Sequence, residues 1–399
     1  MEKLLGLLEN FQYLQWQHVA MWAIGAVLIY MAIVKEMEPT LLLPMGFGAI
    51  LMNLPMPIVA ETVDGLRFYG AEALEMVANG DAERVYEGVQ GVLKGLFDIG
   101  IEFHELFPLL LFVGIGAMID FGPLLSNPKM MIFGAAAQFG IFFTLVLASM
   151  FFPELKDSAS IAIIGAADGP TAMFVAKVLD SNYLAPIMVA AYSYMALVPL
   201  VQPPVIKLCT TQKERRIKMA YEGKTVSKRT KIIFPIAVTM IVALVAPDAV
   251  ALIGFLMFGN LLRECGVTNS LSDTAQNVLA NLITIFLGIT IAYKMEWTCF
   301  LQWQTLLIMG LGLVAFVVDT MGGVFIAKLM NLFLPEGKKL NPMIGAAGIS
   351  AFPMSARVVH KMGLAEDNSN FLLMHSISVN VSGQIASVIA GGLILALMK

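Results

Sequence analysis

The sequence predicts an all-α polytopic membrane protein with about ten transmembrane segments and two repeats, and three observations carry that prediction. Hydrophobic residues make up 58% of the 399 positions and charged residues only 14%, more apolar surface than a soluble chain of this size needs. Long apolar runs recur along nearly the whole length. Two matching strings that contain glycine and proline interrupt those runs, one in each half.

Taken in order, the apolar runs cover roughly 18–34, 40–60, 106–120, 130–152, 184–206, 232–246, 249–262, 278–293, 305–334 and 371–397. A spanning helix needs about 20 residues, and tilt absorbs some excess. The predicted organisation is N-terminal membrane segments over 1–60, an interfacial amphipathic region over 61–105 and a first repeat over 106–206. A basic loop over 207–231, connecting membrane segments over 232–277 and a second repeat over 278–399 follow.

The opening MEKLLGLLENFQYLQWQH contains Glu2 and Glu9 and reads as a short amphipathic helix. It lacks the basic start of a cleaved signal, so the first apolar run is expected to remain in the mature protein. Residues 61–105 hold thirteen acidic or basic side chains among Leu, Val and Phe at helical spacing, which predicts one or two interfacial helices broken at Gly80.

Residues 207–231 carry nine Lys or Arg against two Glu, and the positive-inside rule places that loop in the cytoplasm. A solvated face against lipid headgroups is one reading of it, and a docking surface for a soluble partner is the other. The net charge of −4 is small and says nothing of nucleic acid, and the basic residues sit mainly in one loop rather than along a face, so no nucleic-acid partner is expected. Cys209, Cys265 and Cys299 are odd in number and far apart, and read as ordinary thiols. His18, His104, His360 and His375 show no metal-ligand spacing.

The repeat is the strongest organisational signal. Residues 163–178 read IIGAADGPTAMFVAKV and residues 343–359 read MIGAAGISAFPMSARVV. Each follows one apolar span and precedes another, and its Gly and Pro break the helical ladder. Such backbone is tolerated at membrane depth where it is buried in protein or lines a cavity, and paired interrupted segments are how transporter folds build midplane sites. If the first segment re-enters without crossing, the repeats are inverted, which is the expectation; if it crosses, they are parallel.

Asp168 stands in a segment almost devoid of charge, where a carboxylate needs a cation, a proton or a partner. It is the first candidate for a sodium ligand, since hard cations take oxygen and a broken helix offers carbonyls beside it. The alternative is that Asp168 caps the helix opening at Pro170. The second segment adds Asn341, Ser350, Ser355 and Arg357, bracketed by Gly345, Gly348 and Pro353.

Ser350 and Asn341 equally suit turns and caps, and Arg357 either holds an anion or snorkels. Tyr194 places a phenol inside an apolar span, as a donor to a reacting group or a packed ring with its hydroxyl satisfied. Asp120 reads as a helix-end cap before Gly122-Pro123, and Asp319 as a reserve ion ligand.

The strings GIGAMIDFGPLLSNP (114–128), IIGAADGPTA (163–172), AYSYMALVPLVQPPVIKL (191–208), NPMIGAAGISAFPMSARV (341–358) and MHSISVNVSGQIAS (374–387) resemble one family. It comprises the beta subunits of sodium-translocating, biotin-dependent decarboxylases acting on oxaloacetate, methylmalonyl-CoA or glutaconyl-CoA. The resemblance covers most of the chain from about residue 100.

It implies a multi-pass cell-membrane subunit that decarboxylates carboxybiotin and drives sodium outward while a proton is consumed. Biotin carrier and carboxyltransferase subunits, a small single-span subunit and an oligomeric assembly are implied as partners. The family's motif residues fall on Asp168, Tyr194, Asn341, Gly345, Ser350 and Arg357, with Asn380 a weaker candidate. Sodium is then expected at Asp168, Asn341, Gly345 and Ser350, and catalytic roles at Asp168, Tyr194 and Arg357. Arg357 and Ser350 would meet the carboxybiotin.

No Ala-Met-Lys-Met string occurs, so biotin must be carried by another chain. The rival reading is a sodium- or proton-coupled secondary transporter of an organic anion, which needs the same broken repeats and buried carboxylate but no biotin-bearing partner. An ion channel is disfavoured, because neither continuous pore-lining charge nor a repeated filter motif is present.

Overall fold

Apolar sequence with little period-2 alternation folds almost entirely as helix, as a computed structural model of the chain shows over residues 11–36, 39–219 and 225–398. The predicted amphipathic helix over 1–18 therefore falls partly outside the described residues, as do residues 220–224 of the basic loop. The chain divides into two units, Met1–Phe107 with Thr284–Gln302 and Pro108–Ile283 with Trp303–Lys399.

The first unit contains α1 (Trp16–Val34), α2 (Pro39–Met52), β1 (Val59–Glu61), β2 (Arg67–Tyr69), α3 (Ala71–Asn79), β3 (Glu83–Val85) and α4 (Gly88–Phe97). The strands form an antiparallel sheet in the order β2-β1-β3, with Ala60 facing Phe68 on one side and Arg84 on the other. Gly80 takes the left-handed conformation at φ 79° and ends α3, its N–H reaching the carbonyls of Met76 and Val77. Residues 61–105 thus contain the two amphipathic helices and the glycine break, together with strands that helical spacing alone does not reveal.

Asn53 anchors the end of α2. Its amide donates to Ala49 O and Met295 O, both at 2.8 Å, and its Oδ1 accepts from Trp297 N at 2.8 Å. Arg84 pairs with the buried Glu296, which also accepts from Tyr86 at 3.1 Å. Burial raises the Glu296 carboxyl against the opposing pull of Arg84, and the net direction is upward.

In chain order the second unit draws on α5 (Leu106–Met118), α6 (Met131–Ala136), α7 (Phe139–Ala148), α8 (Leu155–Ala162), α9 (Gly169–Val178) and α10 (Leu184–Cys209). It continues with α11 (Lys228–Val245), α12 (Val250–Glu264), the start of α13 (Ala280–Ile291), which belongs to the first unit from Thr284 onward, α14 (Trp303–Phe333), α15 (Met354–Glu366) and α16 (Leu373–Met398). Helix α10 bends by 68° between Met195 and Leu197, where the ring of Pro199 excludes the Met195 carbonyl from its usual bond.

One buried apolar cluster includes Phe112, Phe133, Leu256, Ile344 and Val379, and another includes Ile141, Ile164, Ala176, Leu311 and Ile394. Leu244, Leu306, Phe325 and Leu332 remain exposed, as apolar residues facing lipid do.

Among the described residues five helices are long and apolar enough to cross a membrane: Trp16–Val34, Pro128–Ala148, Asn269–Met295, Trp303–Phe333 and Leu373–Met398. Two bent pairs, Gly88–Glu102 with Leu106–Met118 and Pro186–Met195 with Leu197–Cys209, bring the number to seven if each is one span. The protein is multi-pass. The count is below the ten apolar runs because several of these become helices too short to cross alone, such as Val250–Glu264.

Candidate functional site

The first glycine-containing string forms a broken helix. After α8 the chain tightens into a 3₁₀ turn over Ile163–Ala166, and Ala167 then sits in the left-handed region at φ 52°. A non-glycine residue there costs about 1–2 kcal/mol, which the surrounding packing must offset. Asp168 returns to extended backbone and caps α9, whose second position is Pro170, a residue with no N–H to leave unsatisfied.

The Asp168 carboxylate is 4% exposed and sees three donors. Thr171 N lies 3.3 Å from Oδ1, Thr171 Oγ1 lies 2.7 Å from Oδ2, and Ser387 Oγ lies 3.1 Å from Oδ2. The two readings of Asp168 therefore do not compete. One oxygen caps the helix, while the other faces two hydroxyls, one from α16, whose oxygens can equally turn toward a cation.

The second string opens on Asn341, whose Oδ1 accepts from Met343 N at 3.1 Å, and runs as a 3₁₀ helix over Pro342–Gly348. It opens out after Gly348 and re-forms as α15, directly behind Pro353. The two breaks touch: Ser350 N donates to Ala166 O at 3.0 Å, two residues from Asp168.

Helix α16 spans both. Asn380 Nδ2 donates to Ala347 O at 3.1 Å and Ile349 O at 2.8 Å, Gly383 O accepts from Ser350 Oγ at 3.2 Å, and Ser387 reaches Asp168. Positions 380, 383 and 387 lie on one face, over about 10.5 Å at 1.5 Å per residue.

Helix α14 backs the crossing. Gly323 and Gly345 meet so closely that a Cβ on either would overlap the other's carbonyl. Asp319, fully buried, accepts from Gly140 N at 2.5 Å with one oxygen and presents the other to Gly165, where an added Cβ would lie 2.6 Å away. Asp319 Oδ2, Asn380 Oδ1 and Gln138 Oε1 are buried oxygens with no hydrogen-bond partner among the described residues. Groups of this kind suit a hard cation or a proton.

The candidates do not all converge. Asp168, Gly345 and Ser350 belong to the crossing of the breaks. Asn341 turns its amide toward the basic segment, donating to Arg215 O at 2.8 Å and Ile217 O at 2.9 Å. Tyr194 is buried and donates to Met309 O of α14. Arg357 is exposed in the first turn of α15, and its guanidinium makes no hydrogen bond or ion pair among the described residues. Ser355 bonds Gln202 and Ala346 O instead, each at 3.1 Å.

Asp120 stands one residue before Phe121, the N-cap of the helix at Gly122–Ser126, accepts from Gly122 N at 2.8 Å and also meets Lys231 at 2.9 Å. Burial pushes its carboxyl up, but Lys231 and the Gly122 N–H win and hold it below the ordinary value.

Thr171, Ser387 and Gln138 escaped sequence reasoning. For Ser387 a signal existed. Ser376, Ser378, Asn380, Ser382, Gln384 and Ser387 are six polar residues inside one apolar run, and the seven-residue step from Asn380 to Ser387 is two helical turns.

The chain matches the family model described as Na+-transporting oxaloacetate decarboxylase beta subunit over residues 17–398. It is 44% identical to the probable oxaloacetate decarboxylase beta chain of Vibrio cholerae, over 99% of each chain. It is 46% identical to the methylmalonyl-CoA decarboxylase subunit beta of Propionigenium modestum, over 97% of this chain and 96% of that one. With the glutaconyl-CoA decarboxylase subunit beta of Acidaminococcus fermentans the identity is 44%, over 98% and 96%. A broken-helix crossing around a buried carboxylate is thus found in a chain that belongs to the family of Na+-transporting oxaloacetate decarboxylase beta subunits.

Proposed function

We propose that this chain decarboxylates carboxybiotin, presented by a biotin carrier on a partner subunit, and couples the reaction to outward movement of sodium. The family model it matches is described as a Na+-transporting decarboxylase beta subunit, and its relatives are named as decarboxylase beta subunits. The observation that carries the reading is the buried Asp168 carboxylate at the point where the two breaks bond to each other.

Sodium is the cargo. Asp168 supplies its charge, and hydroxyl and amide oxygens from Ser350, Asn380 and Ser387 complete its coordination, with the Gly345 backbone and Asn341 framing the second break. The chemistry is the loss of a carboxylate from nitrogen: the N–C bond breaks, carbon dioxide departs, and the electron pair left on the ureido nitrogen takes up one proton. Tyr194 or Asp168 delivers that proton, and Arg357, with Ser350, holds the carboxylate or the ureido oxygen.

The two broken segments support an inverted repeat whose halves expose the site alternately. As a beta subunit, the chain works beside other subunits: the carrier, a carboxyltransferase and a small single-span chain, in an oligomeric complex.

The test is decarboxylation of free carboxybiotin by the purified complex, with and without sodium, comparing wild type with Asp168→Asn. Sodium-dependent release of carbon dioxide that vanishes in the variant supports the reading. An inactive, folded and partner-complete wild type would sink it and leave the secondary transporter in front.

A further inference from the structure

A cavity of about 730 Å³ opens next to the second break, within the second unit. Lys129, Lys218, Lys338 and Lys339 line it together with His375 and Ser378, and among the described residues no acidic side chain does. Lys218 lies 3.0 Å from Asp367, and Lys339 lies 3.5 Å from Glu336. Lys129 and Lys338 form no ion pair among the described residues, so their charge is open to a ligand. Lys218 belongs to the basic segment 207–231, which puts the cavity on the cytoplasmic side by the positive-inside rule.

The cavity wall leads into the site. Leu340 lines the cavity and is followed directly by Asn341, the cap of the second break. Met130, also in the wall, has its carbonyl 3.2 Å from Ser382 Oγ. His375 and Ser378 belong to the first turns of α16, the helix that carries Asn380 and Ser387. From Ser378 to Ser387 is nine residues, about 13.5 Å along the helix.

We propose that this cavity is the receiving site for the N-carboxylate of carrier-borne biotin, recognised by Lys129 and Lys338 before the group passes along α16 to the crossing. The proposal rests on the carboxybiotin reaction given above. The volume is that of a small-ligand site, and ammonium groups unpaired by acid favour a carboxylate. Only Pro128, Met130, Met219 and Leu340 of the lining are apolar, too short a wall for the two chains of a phospholipid. On a carrier the valerate of biotin is tied up as an amide, so the N-carboxylate is the anion left to recognise.

The test uses the intact complex, the double variant Lys129→Gln/Lys338→Gln, and N-carboxybiotin methyl ester, in which the valerate is likewise neutral. KM for the ester is expected to rise about five- to tenfold, with kcat lowered by less than about twofold, because ground-state binding is what is lost. An unchanged KM in an active complex overturns the cavity and leaves the decarboxylase reading standing.

A second measurement needs no turnover: amine acetylation of wild type, read residue by residue. Lys129 and Lys338 are expected to be protected by the carboxylated ester and not by biotin methyl ester. Equal labelling with both, or protection only on adding phosphatidylglycerol, overturns the proposal. Protection without turnover upholds it while refuting the reaction.

Discussion

Gly323 and Gly310 lie in the same helix, α14, and replacing each with alanine separates tertiary packing from helix propensity. Propensity favours alanine over glycine by about 1 kcal/mol at either position. Around Gly310 an added Cβ meets no atom within 4 Å, so Gly310→Ala is expected to keep that gain. At Gly323 the Cβ overlaps the carbonyl of Gly345, and the obstructing atom is backbone of the second break, which Asn380 holds from the other side.

Overpacking costs about 1–3 kcal/mol, and a backbone obstacle puts this site toward the upper end. Less the propensity gain, Gly323→Ala should lose about 1–2 kcal/mol. The two variants then differ by about 2–3 kcal/mol, and soluble chains of 150–250 residues shift by about 2–4 °C per kcal/mol. The assay is thermal unfolding of the detergent-purified complex at one scan rate, with Gly310→Ala expected at or above wild type and Gly323→Ala several degrees below it. A Gly323→Ala protein as stable as Gly310→Ala would refute the close approach of α14 to the second break.

Two further outcomes are expected. Asp319→Leu strips the acceptor from the buried Gly140 N–H and should cost about 1–3 kcal/mol, whereas Asp319→Asn keeps a carbonyl there and should cost less; equal losses in thermal unfolding would contradict the bond. Glu366 sits 2.5 Å from Arg215, whose guanidinium holds the carboxyl below its ordinary value of 4.5 against a smaller upward push from burial. A depressed carboxyl stabilises the fold above its unfolded value and loses that contribution as pH falls through the folded one. The stability gap between wild type and Glu366→Gln should therefore be full at pH 7 and shrink progressively as pH falls below 4.5; a gap that does not change with pH down to acid unfolding would show that the ion pair is not its source.

Much of the architecture was legible because the bilayer leaves few solutions for backbone polar groups. The composition and recurring apolar runs required a helical membrane protein, and Gly-Pro interruptions flanked by apolar sequence marked where two helices break. Asp168 stood out by the same logic, as a carboxylate without a nearby cation in the chain. The strands at Val59–Glu61, Arg67–Tyr69 and Glu83–Val85 were not legible, since three residues are too few to show a period. Nor was the length of each helix, because an apolar run of fifteen residues reads alike whether it spans alone or packs as half of a broken pair.

What the sequence determined by itself was therefore the medium, the repeated breaks and the identity of the buried carboxylate, all of which follow from local composition and the cost of unsatisfied groups in an apolar phase. The tertiary structure decided which groups meet. Ser387 reaches Asp168 across 219 residues of chain, Ser350 binds the backbone of the first break, and Asn341 turns away to Arg215 and Ile217. Hydroxyl and amide side chains are short, so their partners are set by how closely the helices approach. That approach depends on Gly323 against Gly345 and on Gly165 against Asp319, contacts between residues far apart in the chain that local pattern does not encode.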